Sequence, residues 1–443
     1  MINRAVLVID HKSRDLRGVL LVAYWLSVKY GVLPYLTNTK NEISCLIKYK
    51  PHVILLPHVR HPHQFEFLKF AKAQGTSVVL SLAEGFPVSK DQFLFSAGRD
   101  EYLSYVDLVL PWGPVYNSYI VENPVVRGIA SVPVGSPRFD FHAPRYKPLL
   151  IGRRDFCMSA RADYKLPTVI WMTNTIYANP HEGYDKFIEK MKRPTTSDSR
   201  IAHFIEPLTR DHQRVFENMS DYYEKISKAF PRVNYLIKVH PSEPRQPYED
   251  RFNAHPNIKI LPVSDLSFTN YLAHADILCN WRCTTSAEAW MVDISKPVIS
   301  IEPRGLETSI FDYLSSGNDT VSDYGQFEDK MTHYLNGGKV AVPIVSARDK
   351  FIAEYLLAAD GRSAERCAEA IFSHISARAC PVWSWHNYRV FLKYLRNYRF
   401  NRKWLALNRG QDHPKYISRG LIDDEMGKLS GLFGRSAEYR VEM

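Results

Sequence analysis

Short, mostly apolar runs separated by longer amphipathic stretches recur along the first third of the chain. They span residues 5–9, 51–57, 77–82, 106–111 and 130–134. Runs of this length are typical of strands buried within a parallel sheet, and residues 18–30 after the first run have the spacing of a helix. Because strands and helices alternate, the pattern predicts an N-terminal Rossmann-like domain over residues 1–145.

The alternation of strand and helix patterns resumes after an Arg- and Pro-rich stretch at about 145–165, which we interpret as a linker. Further strands are predicted at residues 167–172, 233–239, 258–262, 275–279 and 296–301, with helices at 211–230 and 286–292. We therefore predict a second Rossmann-like domain over 165–345, followed by C-terminal helices and a basic, aromatic tail over 346–443. The predicted fold class is α/β, with a ligand held in the cleft between the two domains at the carboxyl ends of their strands.

The composition describes a folded protein rather than a disordered or fibrous one. Of 443 residues, 45% are hydrophobic and 23% are charged. Six scattered cysteines are too few for a disulfide scaffold, which favours reduced thiols in the cytoplasm. The first apolar run is too short for a signal peptide, and no run reaches the roughly 20 residues of a membrane span. We expect a cytoplasmic protein.

The positive charge is concentrated near the C-terminus. The whole chain carries 57 − 47 = +10, while residues 381–420 hold nine basic residues and one acidic residue, or 9 − 1 = +8. One interpretation is that Arg389, Lys393, Arg396 and Lys403 line a helix face that contacts an anionic membrane, so that residues 385–420 hold the enzyme at the inner face of the cytoplasmic membrane. The other is that the interleaved aromatic residues pack on the first domain; both can hold, because they use different faces. No nucleic-acid recognition motif accompanies the charge, so no nucleic-acid partner is expected.

A histidine follows directly on the predicted strand 233–239. His240 should project from the carboxyl end of that strand, close to Lys238, while Pro241 restrains the turn. An imidazole in this position can donate a hydrogen bond to a phosphate oxygen or protonate a leaving phosphate. The alternative is a loop histidine bonded to its own backbone.

Two hydroxyl-rich stretches offer further phosphate contacts. At the predicted helix start, Thr284, Thr285 and Ser286 combine hydroxyls with free amides and the helix dipole, and Glu288 lies one turn further, where it can accept hydrogen bonds from a ribose. The strand-end loop Thr173-Asn174-Thr175 can reach the same nucleotide. Helix capping alone would also explain the first group, and the second is common in α/β proteins.

The first domain contributes an acidic residue and a charged loop. Glu84 follows strand 77–82 and precedes Gly85, where a carboxylate can act as a base or as a nucleophile at an anomeric carbon. The loop after the first strand is dense in charge and is interpreted either as an ion-pair network that caps the helix or as an acceptor-binding loop. Its members are Asp10, His11, Lys12, Arg14 and Asp15.

In order along the chain, these motifs resemble those of bacterial CMP-sugar glycosyltransferases of the GT-B fold, including sialyltransferases and Kdo transferases. The acidic motif of those families has two acids, or reads Glu-Asp-Gly-Phe, and here it reads Ala83-Glu84-Gly85-Phe86. Three strings, at residues 9–15, 135–140 and 240–243, in addition resemble a family of bacterial surface carbohydrate biosynthesis proteins.

The resemblance implies a GT-B fold in which His240, Thr284 and Thr285 bind the CMP phosphate, Glu288 contacts the ribose and Glu84 is the catalytic carboxylate. The implied reaction transfers Kdo or a related ulosonic acid from a CMP-sugar to a surface polysaccharide or lipid-linked glycan. Because the first acid is missing before Glu84, inversion and retention both stay open. The alternatives are a CDP-alditol phosphotransferase of teichoic-acid type and a non-catalytic nucleotide-binding scaffold.

No cofactor or metal is expected. His58, His61 and His63 cluster around Arg60 without a carboxylate or cysteine nearby, so a polar loop is the better interpretation. Cys279 and Cys283 lack the second pair of ligands that a zinc site needs.

Overall fold

A computed structural model of the chain describes residues 3–12, 14–39, 41–59, 62–82, 86, 97–98, 100–124, 128–180, 183–192, 205–261, 267–309, 312–376, 389, 392 and 417–442. The chain divides into two compact units. The first unit combines Met1–Leu149 with Ile352–Met443, and the second unit is Leu150–Phe351. The residues from Ile352 onward, which the sequence pattern groups with a separate segment over 346–443, therefore cluster with the N-terminal part of the chain.

The strands, numbered along the chain, are short and mostly buried. They are β1 (Arg4–Ile9), β2 (Leu33–Asn38), β3 (Val53–Leu56), β4 (Ser77–Leu80), β5 (Leu108–Val109), β6 (Ala130–Ser131), β7 (Thr168–Met172), β8 (Asn234–Lys238), β9 (Ile258–Ile260), β10 (Ile277–Asn280), β11 (Val298–Ile301), β12 (Asp319–Val321) and β13 (Arg440–Glu442).

The α-helices alternate with these strands over most of the chain. They span Leu16–Tyr30, Glu42–Tyr49, Pro62–Gln74, Asp100–Leu103, Pro114–Val121, Arg153–Ser159, Tyr184–Lys192, Ile205–Ala229, Gln246–Phe252, Phe268–His274, Thr285–Val292, Tyr324–Leu335, Val342–Phe351, Ser363–Ile375 and Arg419–Phe433. Short 3-10 turns occupy Pro137–His142, Pro144–Leu149 and Asp312–Gly317, and a π-helical turn spans Ile352–Leu356.

The first unit is built on a seven-stranded parallel sheet in the order β13-β2-β1-β3-β4-β5-β6. The chain adds β2 on one side of β1 and then crosses to add β3 on the other, so the strand order reverses between β1 and β3. Doubly wound sheets bind their ligands at such a reversal. The loop from Asp10 to Asp15 leaves β1 at this point. The apolar sequence of β1 reflects its burial, because Ala5 through Ile9 are at most 2% exposed.

The second unit is a six-stranded parallel sheet in the order β12-β11-β10-β7-β8-β9. The chain adds β8 and β9 on one side of β7 and then crosses to add β10, β11 and β12 on the other. The reversal therefore lies between β7 and β10. The long helix Ile205–Ala229 packs apolar side chains such as Val215 and Tyr223 into the core of this unit.

These two parallel α/β sheets confirm the predicted fold class. Within the ranges given above, no helix combines the length and the apolar character needed to cross a membrane.

Candidate functional site

Three loops of the second unit lie side by side at the carboxyl edge of its sheet. They follow the neighbouring strands β8, β7 and β10, and they carry His240, Thr173 and Trp281 respectively. The backbone N–H of His240 donates to Oγ1 of Thr173 over 2.8 Å, which ties the first two loops together. Because the reversal of strand order lies here, this edge is the place where a doubly wound sheet binds its ligand.

The surroundings of His240 determine how its ring can interact with a ligand. The backbone N–H of Ser242 donates to Nδ1 of His240 over 3.1 Å, so a neutral ring carries its proton on Nε2. Burial, together with the charge of Lys238, lowers the pKa of His240 to about 4. At neutral pH the side chain is therefore an uncharged donor through Nε2. It can donate to a phosphate oxygen as predicted, but it holds no extra proton to give to a leaving group unless a bound anion first raises its pKa.

Glu243 holds the loops after β7 and β8 in place. Its carboxylate is 3% exposed and accepts hydrogen bonds from Oγ1 of Thr173 (3.1 Å), from N and Oγ1 of Thr175 (both 2.8 Å) and from the hydroxyl of Tyr248. The hydroxyls of Thr173 and Thr175 are thus engaged inside the protein, whereas Asn174 between them is partly exposed. Burial raises the pKa of Glu243.

The three hydroxyl side chains predicted at the start of the helix Thr285–Val292 differ in their exposure. Thr284 is the N-cap and makes no side-chain capping hydrogen bond, and both Thr284 and Thr285 are partly exposed. Ser286 is fully buried, and its Oγ accepts from the amides of Asn280 (2.9 Å) and Asn318 (3.0 Å). The two threonines are the hydroxyls that a ligand can reach.

The other predicted members of this site differ in exposure. Glu288, predicted to contact a ribose, is 4% exposed. Lys238 ends β8 and is half-buried, with its Nζ 5.6 Å from the ring centroid of Tyr271. Burial lowers the pKa of Lys238, and Arg245 lowers it further. Pro241 is exposed.

Arg282 fixes the turn that leads from β10 into this helix. Its backbone has a φ of 42°, a left-handed conformation that costs a non-glycine residue about 1 kcal/mol or more. Its guanidinium pairs with Glu302 (3.0 Å) and donates to the carbonyl of Thr308. Asp211, on the helix Ile205–Ala229, holds the same segment by accepting from the backbone and hydroxyl of Thr308. Strained residues that are held this firmly are common at functional sites.

A histidine between two aromatic rings completes this edge of the sheet. His212 is 4% exposed, and its ring centroid lies 4.7 Å from that of Tyr177 and 4.8 Å from that of Trp281. Burial lowers the pKa of His212 to about 3, and His240 contributes to that shift. His212, Trp281, Arg282 and Glu243 are not among the predicted site residues. Only Glu243 has a sequence signal, because it ends the string that begins at His240.

In the first unit, the loop after β1 is held together by hydrogen bonds and an ion pair among its own residues. Asp15 accepts from the backbone N–H groups of Asp10 (2.9 Å) and His11 (2.7 Å), and Arg14 pairs with Asp10 at 2.9 Å. Burial raises the pKa of Asp15 to about 6. The ion pair of the first interpretation is present, but Asp15, the N-cap of the helix Leu16–Tyr30, makes no side-chain capping hydrogen bond. Acceptor binding by Asp10, His11, Lys12, Arg14 and Asp15 stays a prediction.

Several predicted features lie outside the described residues. They include Ala83, Glu84 and Gly85, so that only Phe86 of the acidic motif is described; it packs against Trp112 and Phe139. Of the basic tail over 385–420, the described part comprises Arg389, Leu392 and the residues from 417 onward. Among the residues that are described, no cluster of three or more His, Cys, Asp or Glu side chains has an arrangement that could hold a metal ion.

The sequence matches no protein-family model and no curated protein. Solved structures with a similar fold include a UDP-N-acetylglucosamine 2-epimerase (TM-score 0.56, 14% identity, covering 87% of this chain and 100% of that one). They also include the S. aureus MnaA structure with UDP (TM-score 0.54, 11% identity, 86% and 100%) and the wall teichoic acid polymerase TagF (TM-score 0.51, 11% identity, 84% and 89%). At such low identity the likeness concerns the fold alone. The chain has a GT-B-like fold of two Rossmann-like domains with a C-terminal helix.

Proposed function

We propose that this protein is a glycosyltransferase that transfers an acidic sugar, Kdo or a related ulosonic acid, from a CMP-sugar to a bacterial surface polysaccharide or lipid-linked glycan. The observation that carries this proposal is the state of His240. Its Nδ1 is occupied by the N–H of Ser242, and its Nε2 is left as a neutral donor at the reversal point of the sheet. The fold supports a nucleotide-sugar enzyme, since the solved structures that share it include such enzymes.

In this proposal the donor phosphate binds to Nε2 of His240, to the hydroxyls of Thr284 and Thr285, and near the charge of Lys238. Fixed donors around a departing phosphate stabilise the charge that develops on it, which lowers the barrier to breaking the sugar–phosphate bond. Glu84 is proposed as the carboxylate that acts on the acceptor or on the anomeric carbon. The loop from Asp10 to Asp15 is proposed to bind the acceptor.

A CDP-alditol phosphotransferase of teichoic-acid type is the second candidate. The observation in its favour is the fold shared with TagF, which was also solved as an H444N variant soaked with CDPG. In that reaction the same phosphate contacts would serve a diphosphate, and the transferred group would be an alditol phosphate rather than a sugar.

Nucleotide binding tests both candidates. Calorimetry with CMP, CDP, UDP and ADP should show that a cytidine nucleotide binds best, and His240→Ala should weaken that binding about tenfold, since one hydrogen bond to a charged group is lost. His274→Ala, a change to a half-buried histidine at the end of the helix Phe268–His274, should leave the affinity unchanged. A preference for UDP or ADP would contradict the cytidine assignment.

The transferred group is identified by incubating the enzyme with CMP-Kdo, CMP-sialic acid or CDP-glycerol in the presence of acceptor glycan. Release of CMP from CMP-Kdo supports the proposal, and turnover of CDP-glycerol alone supports the second candidate. Glu84→Gln should keep nucleotide binding and abolish transfer, because it preserves the shape and removes the charge. Wild-type turnover by that variant would rule out a catalytic role for Glu84.

A further inference from the structure

At the same edge of the sheet as His240, three buried side chains carry polar atoms without a hydrogen-bonding partner in the protein. They are Nδ1 of His212, Nε1 of Trp281 and Oδ1 of Asn280. The three residues are 4%, 3% and 0% exposed. A buried polar atom without a partner costs about 1–3 kcal/mol, so such atoms are uncommon, and two of them on the neighbouring rings of His212 and Trp281 call for a partner that the described residues do not supply.

The cluster lies where the proposed ligand would bind. His212, on the helix Ile205–Ala229, packs between Tyr177 from the loop after β7 and Trp281 from the loop after β10. The effect of His240 on the pKa of His212 places the two imidazoles within electrostatic range of each other. Asn280, the last residue of β10, instead uses its amide nitrogen to donate to Oγ of Ser286 at the start of the following helix (2.9 Å).

The unpaired atoms select the chemistry of their partner. An indole N–H can only donate, and a neutral imidazole can donate through Nδ1, so the two neighbouring rings offer two donors to an acceptor. The nearby carboxylates are already engaged: Asp211 accepts three hydrogen bonds and Glu243 accepts four. An anionic oxygen of a ligand is the partner that fits.

We propose that His212 and Trp281 form a second anion-binding position near His240, for an acidic group of the ligand other than the phosphate that His240 would contact. The identity of the nucleotide rests on the proposed function. Two anionic groups fit this position: the β-phosphate of a nucleoside diphosphate and the carboxylate of an acidic sugar.

The test compares ligands that differ by one anionic group, in the wild type and in His212→Phe. Calorimetry is carried out with three pairs: phosphate against pyrophosphate, CMP against CDP, and CMP against CMP-sialic acid. Phenylalanine keeps the ring between Tyr177 and Trp281 and removes only the nitrogens, so the melting temperature should stay the same or rise. Trp281→Phe and His212→Gln are parallel variants in case one substitution disturbs folding, and His274→Phe is the matched control.

We expect the wild type to bind the second ligand of at least one pair about tenfold more tightly, and His212→Phe to lose that advantage while keeping the affinity for CMP. Loss of the CDP advantage assigns the position to a β-phosphate, and loss of the CMP-sialic acid advantage assigns it to a carboxylate. The proposal is overturned if the wild type shows no advantage in any pair, if the variants keep the advantage, or if they weaken both ligands of each pair equally. If no cytidine nucleotide binds but the pyrophosphate advantage depends on His212, the proposed function fails while the second position stands.

Discussion

At the scale of single residues, the sequence locates His240 and leaves out the residue that positions it. His240 is recognisable because a His-Pro pair follows an apolar strand, a purely local pattern. Glu243 ends the string that begins at His240, but the role of its side chain appears only when folding brings Thr173, Thr175 and Tyr248 around it from two other segments. The same holds for His212, which lies 69 residues from Trp281 in sequence and 4.8 Å from it ring to ring.

Removal of the Glu243 carboxylate should destabilise the second unit. Glu243→Ala leaves buried donors from Thr173, Thr175 and Tyr248 without an acceptor, so we expect the free energy of unfolding to fall by roughly 3 kcal/mol. The matched control is Glu249→Ala, which removes a half-buried carboxylate that pairs with Arg245 and should cost about 0.5 kcal/mol. Urea denaturation of the three proteins measures the difference. Equal losses for both variants would show that Glu243 does not organise the loops.

At the scale of elements, the apolar runs predict ten of the strands, and those that are missed have a physical reason. β2 contains Pro34 and begins and ends with partly exposed residues, which weakens its strand pattern. β12 (Asp-Thr-Val) and β13 (Arg-Val-Glu) each contain a single apolar residue, so no apolar run predicts them, and each pairs with a neighbour already in the sheet. The helix Ile205–Ala229 begins six residues before the predicted start at 211, because a helix end is less regular in sequence than its middle.

A remote aspartate caps the helix Ser363–Ile375. Asp140, 1% exposed, accepts from the backbone N–H groups of Ser363 (2.8 Å) and Ala364 (2.7 Å). Gly135 begins the same string with a φ of 84°, and a Cβ there would lie 2.3 Å from Oγ of Ser363. The string at residues 135–140 thus has a structural role: its residues connect the N-terminal part of the first unit to the helix Ser363–Ile375.

Asp140→Ala should therefore lower the free energy of unfolding by about 2 kcal/mol, since two buried amides at a helix start lose their acceptor. Asp360→Ala is the control, because Asp360 is a more exposed partner of Arg366 near the same helix and should cost about 0.5 kcal/mol. Hydrogen exchange of residues 363–376 gives a local measure. Unchanged protection of these amides in Asp140→Ala would mean that the helix does not depend on this cap.

At the scale of the whole molecule, burial shifts the pKa values of histidines and carboxyls in the same directions in both units, but the units differ in how many of each they contain. In the second unit, burial lowers the pKa values of His212, His240 and His274 and raises that of Glu243. In the first unit, burial raises the pKa values of Asp15 and Asp140 to about 6 and lowers that of His52. Among these described residues, the second unit has three histidines with a lowered pKa and one carboxyl with a raised pKa, whereas the first unit has one such histidine and two such carboxyls.

Acidification should consequently destabilise the second unit relative to the first. As the pH falls through about 6.5, unfolded histidines take up protons that the folded second unit excludes, so its stability decreases. As the pH falls through about 6, the folded first unit protonates Asp15 and Asp140, which the unfolded chain does only near pH 4, so its stability increases. Each proton of difference changes the stability by up to about 1.4 kcal/mol per pH unit.

Pulse proteolysis between pH 7.5 and 5, with the fragments assigned by mass spectrometry, follows each unit separately. His212→Phe should reduce the pH dependence of the second unit alone, by about one proton. A common shift of both units in wild type and variant would show that these groups do not control the response to pH.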